Sequence, residues 1–243
     1  MEQIRTDVII VAAGSSVRMG CPKMWLMLNG LPVIGYALRL FDSLPETGRL
    51  VVVSRTEDIP RLLSFSEELK ITHPLTVVEG GSTRQQSVAA GVHSLVDSRA
   101  PLIAVHDGAR PLVSAELVRR VIGAAHTFGA AAPAVMLKDT VKQVDEFGFV
   151  CATPSRQFLR AVQTPQIFAA DLYRRALQTA SDAGTDYTDD CQLVEACGAR
   201  VRLVEGEECN LKITTPSDLP LAELLKALTD DAVARGLCQD NVV

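Results

Sequence analysis

The sequence predicts an α/β protein with a mostly parallel, Rossmann-like sheet, helices on both faces and one inserted β-hairpin arm. Short runs of β-branched apolar residues alternate with segments whose apolar spacing is helical. Turns rich in glycine or other small residues follow several of these runs. The alternation breaks once, after residue 138, where apolar and polar residues begin to alternate with a period of two. Strands that alternate with helices pair in parallel, so these observations define the fold class.

The first strand is predicted at residues 8–11, where the apolar run VIIV is typical of a buried central strand. Similar runs predict strands at 50–53, 75–78, 102–105 and 130–134. Helical spacing predicts helices at 32–44, 58–69, 83–96 and 114–125, the last with Ser114 as its N-cap. Since the carboxyl ends of parallel strands meet at one edge, the turns at 12–18, 80–82 and 106–110 should converge on one crevice.

The second half begins with a hairpin at residues 140–150, with its turn at 145–148. The hairpin has too few residues to form a core, so we expect it to pack on a partner surface. Further elements are helices at 169–183, 190–196 and 217–228 and short strands at 201–204 and 210–214. Residues 1–228 therefore form one domain with an arm at about 138–158. The polar residues 229–243 are expected to be a poorly ordered tail.

Composition excludes several classes of protein. The 243 residues are 47% apolar, which is ample for a core, and the net charge of −5 argues against a nucleic-acid or anionic membrane partner. No apolar run has transmembrane length, and the charged start does not resemble a signal peptide, so we expect a cytoplasmic protein. The six cysteines form no C-x-x-C pair, which indicates free thiols rather than a zinc site.

The turn after the first strand has the composition of a polyphosphate cradle. Ala12, Ala13 and Gly14 let a ligand approach the backbone, and Arg18 and Lys23 add two positive charges close by. The stretch does not fit a P-loop, because the spacing from Gly14 to Gly20 is wrong and Lys23 lacks the accompanying Ser or Thr. It does not fit a dinucleotide fingerprint, because Ser16 stands at the second glycine position and Pro22 would interrupt the helix there.

This stretch resembles the signature loop of sugar-phosphate nucleotidyltransferases, A-A-G-x-G-x-R-M-x…P-K, with Ser16 in place of the usual glycine. Further motifs follow in order: GGSxRxxSV at 80–88, HDGARP at 106–111, KDTVK at 138–142, Arg156, QTPQ at 163–166 and NLKIT at 210–214. Together they resemble the 2-C-methyl-D-erythritol 4-phosphate cytidylyltransferases of the non-mevalonate isoprenoid pathway, over about residues 7–228. Met24 and Gly108 also depart from that family, which often has Gln and Ala there.

The resemblance implies transfer of a cytidylyl group from CTP to methylerythritol phosphate, a Mg²⁺ cofactor bound by Asp107, and a homodimer clasped by the arms. The residues it implies as catalytic are Arg18, Lys23 and Lys212. Those implied for the nucleotide are Ala12, Ala13, Gly14, Gly81, Ser82 and Ser87. Those implied for the acceptor are Arg110, Thr140, Arg156 and Thr164, with Arg156 reaching into the neighbouring subunit's site.

Charge neutralisation should dominate such a reaction, because two anions must meet. The nucleophile is a phosphate oxygen that is already ionised, so no general base is needed, and we interpret His106 as a packed strand-end residue. Asp189 and Asp190 are interpreted as a helix cap. Two alternatives stay open: a cytidylyltransferase acting on ribitol 5-phosphate, and a non-catalytic nucleotide-binding scaffold. Release of pyrophosphate with each polyol phosphate distinguishes them.

Overall fold

A central eight-stranded sheet organises the computed structural model, which describes residues 4–14 and 19–234. The strands of these residues are β1 (Thr6–Val11), β2 (Met27–Leu28), β3 (Leu31–Pro32), β4 (Thr47–Ser54), β5 (Leu75–Glu79), β6 (Leu102–Asp107), β7 (Ala130–Met136), β8 (Gln143–Val144), β9 (Val150–Ala152), β10 (Arg160–Val162), β11 (Gln166–Ala169) and β12 (Arg202–Glu205). The sheet has the order β10-β7-β11-β6-β1-β4-β5, and β12 pairs with β7. The predicted central strand, β1, lies between β4 and β6, and both neighbours are parallel to it.

Helices cover both faces of the sheet, as predicted. They are α1 (Val33–Ser43), α2 (Ile59–Glu68), α3 (Arg84–His93), α4 (Ala115–Phe128), α5 (Ala170–Asp182), α6 (Asp190–Ala196) and α7 (Asp218–Ala234). Adjacent residues of β1 point to opposite faces. Ile10 therefore packs in a core with α1, α2 and α4, whereas Ile9 packs in a second core with α3, α5 and α6.

Two class predictions can be compared with the described residues. In residues 4–14 and 19–234, no helix has both the length and the apolar character needed to cross a bilayer. The cysteines of this part are free thiols, as predicted, and Cys191 is the buried one among them.

The sheet differs from the prediction at two short segments. β10 and β11 were not predicted as strands, and both pair antiparallel, β11 between β6 and β7 and β10 along β7. Conversely, the strand predicted at 210–214 is wrong, since this segment is irregular. Its contact with the sheet edge includes the bond from Ile213 N to Ala109 O, 2.8 Å long. Segments this short carry little periodicity, so long-range pairing decides their state.

The last helix continues past its predicted end at Leu228. Residues 229–234 of the predicted tail are helical in α7, where Lys226 forms an i,i+4 ion pair with Asp230. Residues 229–231 are polar and exposed and give no periodic signal, so the sequence alone predicts a tail here. Residues 235–243 lie outside the described residues.

The predicted hairpin arm is present, with β8 and β9 pairing as a separate two-stranded sheet. Asp145 closes its turn, because one carboxylate oxygen accepts hydrogen bonds from the backbone N–H groups of Phe147 and Phe149. The side chains of Phe147, Phe149 and Phe158 are 77%, 72% and 80% exposed. Three phenylalanines at this exposure leave the arm without an apolar covering in the single chain.

Two helical glycines provide a test of how tightly α3 packs on the sheet. A Cβ at Gly91 would lie 2.8 Å from Ile9 Cγ2 and 3.0 Å from Val53 Cγ2, whereas a Cβ at Gly123 meets nothing within 4 Å. We expect Gly91→Ala to lower the free energy of unfolding by about 1–3 kcal/mol. Gly123→Ala, the matched control at an exposed position of α4, should raise it by about 0.5–1 kcal/mol. Urea unfolding measures both, and equal effects at the two positions would contradict the packing described here.

Candidate active site

Three turns meet at the carboxyl edge of the parallel strands, as the sequence predicts. Ala12 N donates to Val53 O at 2.7 Å, Gly80 N donates to Ser54 O at 2.8 Å, and Gly108 N donates to Val11 O at 3.0 Å. The first two turns touch, since a Cβ added at Gly80 would lie 2.5 Å from Ala13 Cβ. These backbones lie so close together that only glycine or alanine fits where they meet. The three turns form the floor of a crevice.

The second turn is braced by its own side chains. Ser87 Oγ accepts a hydrogen bond from Gly81 N at 3.1 Å and donates one to Thr83 O at 2.8 Å. The backbone N–H and the hydroxyl of Ser82 both donate to Gln86 Oε1, at 3.0 and 2.8 Å. Ser87, predicted as a nucleotide ligand, is thus 3% exposed and engaged in the turn, while Gly81 and Ser82 lie on the exposed side.

Asp107, at the end of β6, is the centre of a cluster of opposite charges. Its Oδ2 lies 2.8 Å from Lys212 Nζ and 3.7 Å from Arg110 Nε, and its Oδ1 lies 3.6 Å from Arg84 Nη2. Burial alone would raise the pKa of the carboxyl, but Lys212 and Arg84 hold that pKa well below its usual range. Asp107 is therefore ionised at neutral pH and keeps three cations at the crevice.

Arg84 is held from behind by a second buried carboxylate. Its Nη1 donates to Asp190 Oδ2, and Asp190 Oδ1 accepts a hydrogen bond from the hydroxyl of Tyr173. Burial acts to lower the pKa of Arg84, but Asp190 and Asp107 together raise it. The guanidinium thus bridges a structural carboxylate on α6 and the crevice carboxylate on β6.

His106 and Thr164 form a buried chain of hydrogen bonds beneath Asp107. Thr164 Oγ1 accepts from Asp107 N at 3.0 Å and lies 3.2 Å from His106 Nδ1, and His106 Nε2 lies 3.2 Å from Arg110 O. A carbonyl only accepts, so Nε2 carries the proton and Nδ1 accepts from the threonine. Burial lowers the pKa of His106 to about 4, so the ring is neutral, in agreement with its interpretation as a packed residue.

The same contacts give Thr164 a structural role within the chain. It was predicted to bind the acceptor directly, yet it is 3% exposed and its hydroxyl is already bonded on both sides within the protein. The reason is its position after Gln163 and before Pro165, where the chain turns inward to begin β11. Thr164 is therefore a positioning residue for the Asp107 backbone in this structure.

The irregular segment at 210–214 brings two predicted lysines together. Asn210 is fully buried. Its side-chain Nδ2 donates to Thr164 O at 2.9 Å, and its backbone carbonyl accepts from Arg110 Nη1 at 2.7 Å. This anchor places Lys212 beside Asp107, while Lys23 Nζ donates to Ile213 O at 3.3 Å. Residues far apart in the chain thus supply Lys23, Lys212 and Arg110 to one edge.

Among the described residues, two predicted acceptor residues, Thr140 and Arg156, are not part of this cluster. Arg18 and Ser16 lie outside the described residues. Thr140 and Arg156 lie on the exposed arm, and Arg156 Nη1 donates to Lys138 O at 2.6 Å. Across residues 4–14 and 19–234, no hydrogen bond or ion pair joins either residue to Asp107, Arg84, Arg110 or Lys212.

Sequence reasoning missed the network behind Arg84. Arg84 stands within the GGSxRxxSV motif, but no role was assigned to it. Asp190 was interpreted as part of a helix cap; instead Asp189 is the cap of α6, accepting from Gln192 N at 3.1 Å, and Asp190 is the ion-pair partner. The sequence offered two signals. Arg84 lies within a motif, and only one of the adjacent Asp189 and Asp190 can be the N-cap of α6. Their pairing across 106 positions in the chain is a tertiary fact.

Comparisons of sequence and of structure with known proteins lead to one family. The family model described as IspD, 2-C-methyl-D-erythritol 4-phosphate cytidylyltransferase, matches residues 6–227. A protein of that name from Caldanaerobacter subterraneus is 42% identical over 224 residues, covering 91% of this chain and 98% of its own. One from Symbiobacterium thermophilum is 44% identical over 225 residues, covering 92% and 93%. The crystal structure of 4-diphosphocytidyl-2C-methyl-D-erythritol synthase from Anaerococcus prevotii has a TM-score of 0.83 at 31% identity, covering 93% and 97% of the two chains.

Neutral His106 should make stability depend on pH. Its pKa is about 4 in the folded protein and 6.5 ordinarily, so the unfolded chain takes up this proton first as pH falls. The contribution is complete above pH 6.5 and is lost toward pH 4, by about 3 kcal/mol. Unfolding in urea at several pH values should show this loss, and His106→Gln should flatten it. His93→Gln, an exposed control, should keep the wild-type slope; a flat wild-type profile would show that His106 is not held neutral.

Proposed function

The chain belongs to the 2-C-methyl-D-erythritol 4-phosphate cytidylyltransferase family, and from this premise we propose how its side chains perform the reaction. Members of this family transfer the cytidylyl group of CTP to methylerythritol phosphate, and this chain is such an enzyme. The observation that supports our assignment of its machinery is the group of cations, Lys212, Arg84 and Arg110, held at one edge by ionised Asp107.

In the proposed step, an oxygen of the acceptor phosphate attacks the α-phosphorus of CTP. A new P–O bond forms while the bond to the β-phosphate oxygen breaks, and pyrophosphate leaves with the electron pair. No proton is removed from the nucleophile, so the reaction needs no base; neutral, buried His106 is compatible with this. Catalysis then consists of positioning and of positive charge at the reacting phosphates.

Lys23 and Lys212 are the proposed sources of that charge, with Arg18, which lies outside the described residues. Lys212 is 39% exposed even while paired with Asp107, so its ammonium can exchange that partner for an incoming phosphate. Lys23 reaches the same segment through Ile213 O. Because the cations are already gathered around Asp107, they need little reorganisation when the anions arrive.

The nucleotide is proposed to lie over the touching turns of Ala13 and Gly80. Small residues allow a base and ribose to approach the backbone there, and Ala12, Gly14, Gly81 and Ser82 offer main-chain groups. We assign Ser87 to holding the Gly81 turn in shape. Arg110 is proposed to receive the acceptor phosphate, since its guanidinium suits bidentate contact with phosphate oxygens.

The residues at Asp107 fit a Mg²⁺ ion that takes one ligand from the protein and the others from water and substrate. Magnesium usually takes one or two carboxylates, keeps several waters and completes its shell with substrate phosphates. Asp107 supplies one ionised carboxylate at the crevice, and the described ranges contain no group of three potential metal-binding side chains. Bound with CTP, Mg²⁺ would neutralise charge on the phosphates; Asp107 would hold it once Lys212 turns toward the substrate.

We further propose a homodimer through the arm. The arm exposes Phe147, Phe149 and Phe158, and a two-stranded hairpin is marginal in water unless its apolar side is covered. Pairing with the same arm of a second chain covers the apolar sides of both arms in one two-fold contact. Thr140 and Arg156, which stand apart from their own chain's cluster, would then contact the acceptor in the neighbouring site.

Turnover with defined acceptors tests the activity. We expect pyrophosphate release from CTP and Mg²⁺ with methylerythritol phosphate, and far less with ribitol 5-phosphate. A coupled pyrophosphate assay, with acceptor omitted as the blank, measures both. Preference for ribitol 5-phosphate would reassign the acceptor, and no release with either would favour a non-catalytic scaffold.

Asp107→Asn should weaken the response to magnesium. The amide keeps the shape but removes the charge, so the magnesium concentration for half-maximal rate should rise by about tenfold or more. Folding must be checked in parallel, because three cations lose their shared anion. Glu79→Gln at the end of β5 is a control with the same chemical change. An unchanged magnesium curve would place the metal on CTP alone.

Mixing inactive variants tests the shared site. Lys23→Ala is expected to lose about 10²–10³ in kcat, since it removes a charge at the reacting phosphates, and Arg156→Ala to lose acceptor binding. If Arg156 acts in the neighbouring site, a mixed dimer contains one intact site and one with both defects, so activity returns toward half. Lys23→Ala mixed with Arg110→Ala is the control, because both residues belong to one chain's site and no activity should return. Sedimentation as a monomer at micromolar concentration would refute the arrangement.

A further inference from the structure

We propose that a second site, a cleft at the amino edge of the sheet, binds a small phosphorylated molecule that carries an apolar group. The cleft has a volume of about 630 Å³ and is lined by residues that precede or begin β1, β4, β5 and β6. These strands are parallel, so their amino ends lie at the edge opposite the crevice. The volume is in the usual range for sites of small molecules.

Three arginines line this cleft: Arg5 before β1, Arg49 in β4 and Arg99 before β6. In the described part of the chain, none of their guanidinium groups has an ion-pair or hydrogen-bond partner within the protein. Arg55, Arg84 and Arg119, by contrast, each face a carboxylate. The chain has a net charge of −5, and these three arginines without a carboxylate partner among the described residues concentrate positive charge in one cleft.

A bulge between β1 and β4 fixes one wall. Thr6 pairs with Thr47 and Val8 with Leu50, so Asp7 alone stands opposite Gly48 and Arg49. Asp7 Oδ1 accepts from Arg49 N at 2.9 Å, and a Cβ at Gly48 would lie 2.6 Å from that oxygen. The other oxygen, Oδ2, is buried with no hydrogen-bond partner in the described residues. Through Oδ1, Asp7 fixes the backbone of Arg49 at this wall of the cleft.

The lining selects a class of ligand. Three guanidinium groups outnumber the one carboxylate, so the cleft favours an anion, and guanidinium groups match the oxygens of a phosphate. Ile4, Pro74 and Pro101 add an apolar wall beside them. An organic phosphate with a short apolar chain satisfies both parts, whereas inorganic phosphate satisfies only the first.

The test uses n-butyl phosphate as probe and the histidine ring signals of the full chain as reporters. His126 lines the cleft, whereas His106 lies beneath the crevice, so NMR distinguishes the two sites. We expect a saturable shift of the His126 signal. In Arg5→Gln/Arg99→Gln the dissociation constant should rise by at least about tenfold, with turnover unchanged. Arg175→Gln/Arg200→Gln, which removes two exposed arginines elsewhere, should bind as the wild type does.

Each other outcome is decisive. A His126 signal that does not move at high n-butyl phosphate concentration, or moves equally in the cleft variant, would overturn the site. If n-butyl phosphate binds the Arg175→Gln/Arg200→Gln control as weakly as the cleft variant, the loss of affinity comes from the change in net charge and not from the cleft. Inorganic phosphate binding as tightly as n-butyl phosphate would overturn the apolar part of the ligand class. Turnover of CTP is measured separately, so failure here leaves the cytidylyl transfer untouched.

Discussion

One buried, ionised carboxylate determines the arrangement of the crevice. Asp107 draws together Arg84 from α3, Arg110 from the turn after β6 and Lys212 from a segment near the end of the domain. Without that carboxylate the three positive groups would repel one another in a partly buried place. With it, they are held where we propose that polyphosphate and acceptor phosphate meet. In this proposal, the attraction that stabilises the free protein also places the charges that the reaction requires.

Behind this cluster, buried polar groups hold its members in place. Asp190 and Tyr173 fix Arg84, while Asn210 fixes both Arg110 and the segment that carries Lys212. Neutral His106 fills the space beneath Asp107 and keeps the turn in place without adding a charge. None of these groups needs to touch a substrate. They limit the motion of the residues that we propose contact the substrates, as a site that depends on positioning requires.

The two ends of the parallel sheet and the arm have different physical characters. The carboxyl edge pairs its cations with an anion and exposes Lys212. At the amino edge, the guanidinium groups of Arg5, Arg49 and Arg99 have no ion-pair partner among residues 4–14 and 19–234. The arm exposes the apolar rings of Phe147, Phe149 and Phe158 among charged and polar residues. We therefore propose a different kind of partner for each surface: substrates at the crevice, a small organic anion at the cleft and a second chain at the arm.

The sequence by itself determined the elements that repeat a local pattern. The apolar run of β1, the Ser114 cap of α4 and the hairpin turn at Asp145 are local, so period and turn chemistry suffice to predict them. Motif order also pointed to Lys23, Asp107 and Lys212. Only the tertiary structure decided the antiparallel β11, the inward hydroxyl of Thr164 and the pairing of Arg84 with Asp190. Those features depend on contacts between residues far apart in the chain, and a buried charge shows its partner only when the fold brings the two together.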